Sequence, residues 1–152
     1  MISRKCVWRK AGVKLPSREA RDAGFSTLDA LTNKDRHATR RVPAGIYEVE
    51  TITMHQLLSE HDAPQEIDYL SIDTEGSEFG ILETFDFERY RPLVMTIEHN
   101  YRPDRENMVT LMSAQGYVRA PTQISAYDDW FVNPMLAHRL SAIFTQDALE
   151  NG

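Results

Sequence analysis

Asp73 and Glu75 stand directly after the apolar run Ile67–Ile72, in the segment IDYLSIDTEGSE. Glu98 and His99 stand directly after a second run, in LVMTIEHNY. Carboxylates and imidazoles are side chains that move protons near neutral pH. Two acids just past a buried strand have little packing reason to be there. An acid and a histidine at adjacent strand ends can serve as base and orienter for a substrate hydroxyl. Asp73, Glu75 and His99 are therefore the expected catalytic groups. For Glu98, strand alternation turns the side chain away from His99, so a structural role is expected. Asp73, Glu75, Glu78 and His99 are also hard or borderline donors that a divalent cation could use to orient a diol. Glu78 has a competing place in the first turn of a helix, where the dipole favours an acid. No resident metal is expected.

The elements that must position these groups follow from periodicity. Ile67–Asp73 reads as a buried strand, and Thr74-Glu75-Gly76 breaks it. A helix follows from about Ser77, with Phe79, Leu82 and Phe85 at three-residue spacing. Leu93–Ile97 is a second buried strand. Pro103 and Asp104 open another helix, with Met108, Leu111 and Met112 inward and Gly116 as its C′ residue. Tyr117-Val118 starts a third strand and Trp130–Val132 makes a fourth. Asn133-Pro134 reads as an N-cap followed by proline. The order β-α-β-α-β-β makes the first two strands parallel neighbours through a right-handed crossover. The last two, joined by Pro121–Tyr127, form an antiparallel hairpin at the edge. Ligand chemistry in such sheets sits outside the carboxyl ends of the strands.

Upstream, Cys6-Val7-Trp8 is a short strand with Ala11-Gly12 as a turn. The stretch from Ser17 to Arg41 is polar and reads as loop with a helical turn. Tyr47–Ile52 alternates with period two, and Thr53-Met54-His55-Gln56 fits a capping box opening a short helix. The expected organisation is a basic, polar arm over 1–46, an α/β core over 47–140 and a tail over 141–152.

The chain has 152 residues and a net charge of −6. Residues 1–41 hold eleven Lys/Arg against four Asp/Glu, and the remainder holds six against nineteen. The basic arm lacks the interleaved aromatics of single-strand binders, so no nucleic-acid partner is expected. One cysteine excludes an internal disulfide framework and a cysteine zinc site. It fits a reducing, cytoplasmic location. No apolar stretch is long enough for a bilayer, and the start lacks a signal-peptide core. His37, His55, His61 and His138 show no metal spacing. Cys6 has no visible base to activate it.

The segments YEVETITMHQLLSEHDAPQEIDYLSIDTEGSEFGILETFDF, VMTIEHNYRPDRENMVTLMSAQGY and YDDWFV, in this order and spacing, resemble the FkbM-type methyltransferase family. The likeness runs from about Tyr47 to Val132. It implies a Rossmann-like class I methyltransferase sheet in which Ile67–Asp73 is the fourth strand and Leu93–His99 the fifth. It also implies S-adenosylmethionine as cofactor and a hydroxyl of a sugar, glycan or small metabolite as acceptor, with Asp73 and His99 at the rim. Asn100 is then an acceptor-binding candidate. Trp130, beside Asp128 and Asp129, either offers an acceptor a stacking face or packs on the sheet as an edge-strand aromatic.

One departure matters. The family's D-x-G-A-N-x-G turn after its first strand, and the acidic residue after its second, have no counterpart here. The cofactor-binding residues are thus unknown. The expectation is a C-terminal fragment of such an enzyme, needing self-association or a complementing chain. The alternative is a non-catalytic half-Rossmann module that pairs with another chain. A hydrolase is disfavoured because no Ser or Cys nucleophile motif accompanies the acids.

Overall fold

The computed structural model describes residues 5–20, 27–28, 43–121 and 126–136. Eight strands, in two four-stranded sheets, and three helices are assigned among them.

The first sheet has the order β1-β4-β2-β3, from β1 (Cys6–Val7), β2 (Lys14–Ala20), β3 (Thr27–Leu28) and β4 (Pro43–Ile52). β4 pairs in parallel with β1 and antiparallel with β2. Thr51 knots this sheet together. Its hydroxyl donates to the Lys10 carbonyl at 2.7 Å and accepts from Val13 N–H at 3.0 Å. Gly12 turns the chain there with φ +69°, a conformation that costs a residue without Cβ little. This sheet revises the expected arm. Lys14–Ala20 is strand where loop was expected from Ser17, because its backbone finds a ladder along β4 that its polar side chains do not advertise. Val7 also packs against the main hydrophobic core, so residues before 47 are not simply appended. The helical turn expected between Ser17 and Arg41 lies mostly outside the described residues.

The capping box is present. Gln56 N–H donates to the Thr53 hydroxyl at 3.2 Å, and the Gln56 side chain reaches back to Thr53 N–H, opening α1 (Met54–Glu60). From there the chain builds the second sheet: β5 (Glu66–Ile72), α2 (Glu78–Leu82), β6 (Arg91–Glu98), α3 (Arg105–Ala114), β7 (Val118–Arg119) and β8 (Asp128–Val132). Its order is β5-β6-β8-β7. β5 and β6 are parallel, and β6–β8 and β7–β8 are antiparallel. The expected parallel pair and closing hairpin are both there, with β8 inside and β7 at the edge.

The register puts Leu70 beside Met95 and Ile72 beside Ile97, which has Asp129 on its other side. This face meets α2 and α3. Ile72, Ile81, Leu82, Met95, Ile97, Met108, Met112 and Phe131 are all buried within it. Val94 was expected in this layer too. It pairs with Tyr69 and lies on the opposite face, which alternation requires once Met95 is inward. Gly116 is the C′ residue of α3 at φ +85°. At the far end, Asn133 caps the next turn, its Oδ1 accepting from Met135 N–H at 3.0 Å. The tail from Leu140 lies outside the described residues.

Candidate active site

The carboxyl ends of β5 and β6 carry the site. Past Ile72 the chain turns through Asp73, Thr74, Glu75 and Gly76 before α2 starts. Glu75 holds φ +54° and Gly76 φ +119°. A non-glycine residue in the left-handed region needs outside support. Glu78 supplies it. Its Oε1 accepts from Thr74 N–H at 2.8 Å, from the Thr74 hydroxyl at 3.0 Å and from Gly76 N–H at 3.0 Å. Ser77 stands at the N-cap of α2, but its hydroxyl donates to Thr74 Oγ1 at 2.7 Å and not to the helix.

Asp73, Glu75 and Glu98 converge here. One carboxylate oxygen from each lies within 4.8 Å of the others. Asp73 is exposed, while Glu75 and Glu98 are buried. Burial pushes the Glu98 carboxyl up to about 8, and the charges of Asp73, Glu75, Glu78 and Asp128 push the same way. A carboxyl in that state can exchange a proton near neutral pH. The spacing would also admit a divalent cation, with Asp73, Glu75 and Glu98 as the holders. Beyond mutual closeness nothing points to an ion, and the cluster reads as a proton-holding site.

Glu98 was set aside on sequence, although the signal was there. Ile72 and Ile97 are partners on the core face, so the next residues, Asp73 and Glu98, fall together on the other side. By the same alternation His99 falls to the side of Ile97. It is 1 % exposed, and burial lowers its ring's affinity for a proton, as does the nearby Arg105. Asp129, Asp128 and Arg119 also bear on it. His99 thus shares the sheet end with Asp73 and Glu75, but in a different charge environment.

The His99 ring has one defined tautomer. Its Nδ1 accepts from Tyr101 N–H at 3.0 Å. A neutral imidazole has one donor and one acceptor nitrogen, so Nε2 carries the hydrogen. That Nε2 is buried and has no hydrogen-bond partner among the described residues. In this state His99 can donate to an oxygen, and Nδ1 is not available as a base. Asn100 is likewise 1 % exposed, and both its amide atoms lack partners among the described residues. Asn100 and Tyr101 take φ +41° and +56°, so the turn after β6 is strained as well.

Trp130 lies across from Thr96, with Tyr69 6.4 Å away ring to ring. The Tyr69 hydroxyl shares a 2.7 Å hydrogen bond with the Thr96 hydroxyl. Asp129, grouped with Trp130 on sequence, is consumed elsewhere. It is buried and accepts from Arg105 at 2.8 and 2.9 Å and from Arg119 at 2.6 and 3.0 Å. Burial alone would raise its carboxyl, but those hydrogen bonds prevail and hold it below the usual range.

No helix among the described residues is long and apolar enough to cross a membrane. No curated protein and no solved structure matches the chain. A family model, the methyltransferase FkbM domain, matches residues 2–127, which spans both acidic strand ends and the parallel strands β5 and β6 that carry them. The chain therefore belongs to the FkbM methyltransferase domain family.

Proposed function

We propose that the chain contributes the acceptor side of an S-adenosylmethionine-dependent O-methyltransferase acting on a hydroxyl of a sugar, glycan or small metabolite. The observation that carries this is the convergence of Asp73, Glu75 and Glu98 at the ends of two parallel strands, with Glu98 able to trade a proton near neutral pH.

The cofactor supplies the methyl group, on a sulfonium. For that methyl to pass to an acceptor hydroxyl, with the sulfonium leaving as a neutral thioether, the chain would have to hold the oxygen in place and take its proton. Asp73, exposed at the mouth, receives the incoming hydroxyl. Glu98, once ionised, takes its proton, and Glu75 keeps the proton there by repelling a full negative charge on Glu98. His99 and Asn100 hold further oxygens of the acceptor through Nε2–H and the side-chain amide.

The described residues fit this half of the chemistry, and none of them forms a cradle for the adenosine half. In the turn between β5 and α2, Glu78 ties down the backbone at Thr74 and Gly76, and neither this turn nor the one between β6 and α3 is a glycine-rich loop open to a ribose. We infer that the donor cradle comes from residues beyond these 152 or from another chain.

The test is transfer of labelled methyl to a panel of hydroxylated acceptors, with the chain alone and with a family member's glycine-turn segment supplied in trans. Label should reach a neutral acceptor in the mixture. Glu98→Gln should slow turnover by about 10²–10⁴-fold, the usual range for a lost general base. Absence of transfer in every arrangement overturns the proposal.

A second reading, a non-catalytic pairing module, is favoured by one observation. β5 ends its sheet among the described residues, and Tyr69 and Val118 are exposed on the face away from the helices. Unpaired strand edges recruit other strands.

A further inference from the structure

Glu78 is 1 % exposed, and a buried carboxylate is costly unless hydrogen bonds compensate it. It does not point at a substrate position. All three of its recorded hydrogen bonds come from the turn that precedes it: Thr74 N–H, Thr74 Oγ1–H and Gly76 N–H, all onto Oε1. The Thr74 hydroxyl is itself the acceptor for Ser77 Oγ–H. The result is a directed chain, Ser77 to Thr74 to Glu78, in which each bond polarises the next.

The residue enclosed by these bonds is Glu75. Thr74 and Gly76 are its two neighbours, and both of their amide hydrogens are taken by the same oxygen. That arrangement keeps Glu75 at φ +54°. A left-handed backbone at a non-glycine residue would relax if the flanking amides were released. Relaxation would carry the buried Glu75 carboxylate away from Asp73 and Glu98.

We propose that Glu78 is the positioning residue of the acidic cluster: it fixes the 74–76 turn through one oxygen and thereby holds Glu75 against Asp73 and Glu98. The role rests on the cluster being the hydroxyl-activating site, but its geometry can be tested without any methyl donor. It also goes beyond a helix-dipole role for Glu78. A dipole partner needs only a charge near the start of α2. A turn staple needs an acceptor oxygen at one place.

Glu78→Gln separates the two, because the amide keeps a carbonyl oxygen while losing the charge. Glu78→Ala removes both. Two readouts apply to the full chain: hydrogen exchange at the Thr74 and Gly76 amides, and the titration of Glu98 followed by NMR of 13C-labelled glutamate carboxyls. In Glu78→Gln the amides should stay protected, and Glu98 should still titrate above the ordinary carboxylate range. In Glu78→Ala both amides should exchange about tenfold faster or more, as expected when hydrogen bonds to a charged acceptor are lost. Glu98 should then titrate lower than in Glu78→Gln, because Glu75 has moved off. Thr74→Val cuts the hydroxyl chain but keeps the amide. It should shift both readouts in the same direction as Glu78→Ala by a smaller amount, and it decides the matter if Glu78→Ala does not fold. Gln and Ala variants that behave alike, or a Thr74→Val protein unchanged in both readouts, would overturn the positioning role. Failure of methyl transfer with these readouts as expected would instead remove the proposed reaction and leave the staple standing.

Discussion

Glu98 and His99 are chain neighbours with opposite behaviour, and the difference is alternation at a strand end. Glu98 faces like charges and retains its proton; His99 faces Arg105 and Asp129 and stays neutral. Raising an acid from 4.5 to about 8 means that the folded protein binds the proton more tightly than the unfolded chain. Stability must then fall as pH rises through that window, and level off above about 8. Thermal melts from pH 5 to 9 should show this fall, and Glu98→Gln should flatten it. A wild-type melting temperature that climbs across the window, or a slope untouched by Glu98→Gln, would contradict the burial argument. For His99, nitrogen-15 NMR at neutral pH should show the hydrogen on Nε2. Detection of the Nδ1–H tautomer would remove its role as a donor, because Nε2 would then carry no hydrogen.

At the scale of elements, the sheet is held by its inner face against α2 and α3, and α1 is opened by its capping box. Met95 is 0 % exposed and sits between Leu70 and Phe131 at the centre of the second sheet. Met95→Ala should cost about 2–5 kcal/mol, the range for deleting a large buried apolar side chain. Thr53→Ala, which removes the cap of α1, should cost about 1 kcal/mol. Chemical denaturation measures both. A cap variant as damaging as the core variant would mean that α1 is worth far more to the fold than its one short apolar face indicates.

For the whole molecule, the expectation concerns completeness. Asp73, Glu75 and Glu98 are assembled, while no glycine-rich cradle accompanies them among the described residues. The parallel strand β5 has a neighbour on one side among the described residues, and parallel strands are usually buried within a sheet. We expect this chain alone to bind S-adenosylmethionine weakly and to self-associate unless a complementing chain is supplied. Calorimetry beside light scattering checks both. Tight one-to-one binding by a monomer would require a cofactor site of a kind not seen in these residues.

Local pattern was enough for much of this. The apolar runs before Asp73 and His99, the capping box at Thr53, the inward methionines of α3 and the glycine after it are short-range signals, and each element appears where its signal stood. The parallel pairing of β5 and β6 also followed, because a strand-helix-strand crossover has one favoured hand. The motif spacing carried the family. Partner choice at a distance was not legible. Lys14–Ala20 becomes a strand only because β4, some thirty residues on, offers it a ladder. Glu78 reads as an ordinary helix-start acid until the turn folds back onto its oxygen. Glu98 was within reach of the sequence once register was considered, yet its raised proton affinity was not, since that depends on its burial and on the other carboxylates that the fold brings beside it. Sequence determined which groups stand at the strand ends. Tertiary structure decided which of them share an environment, because burial and charge act between residues that only the packed sheet brings together.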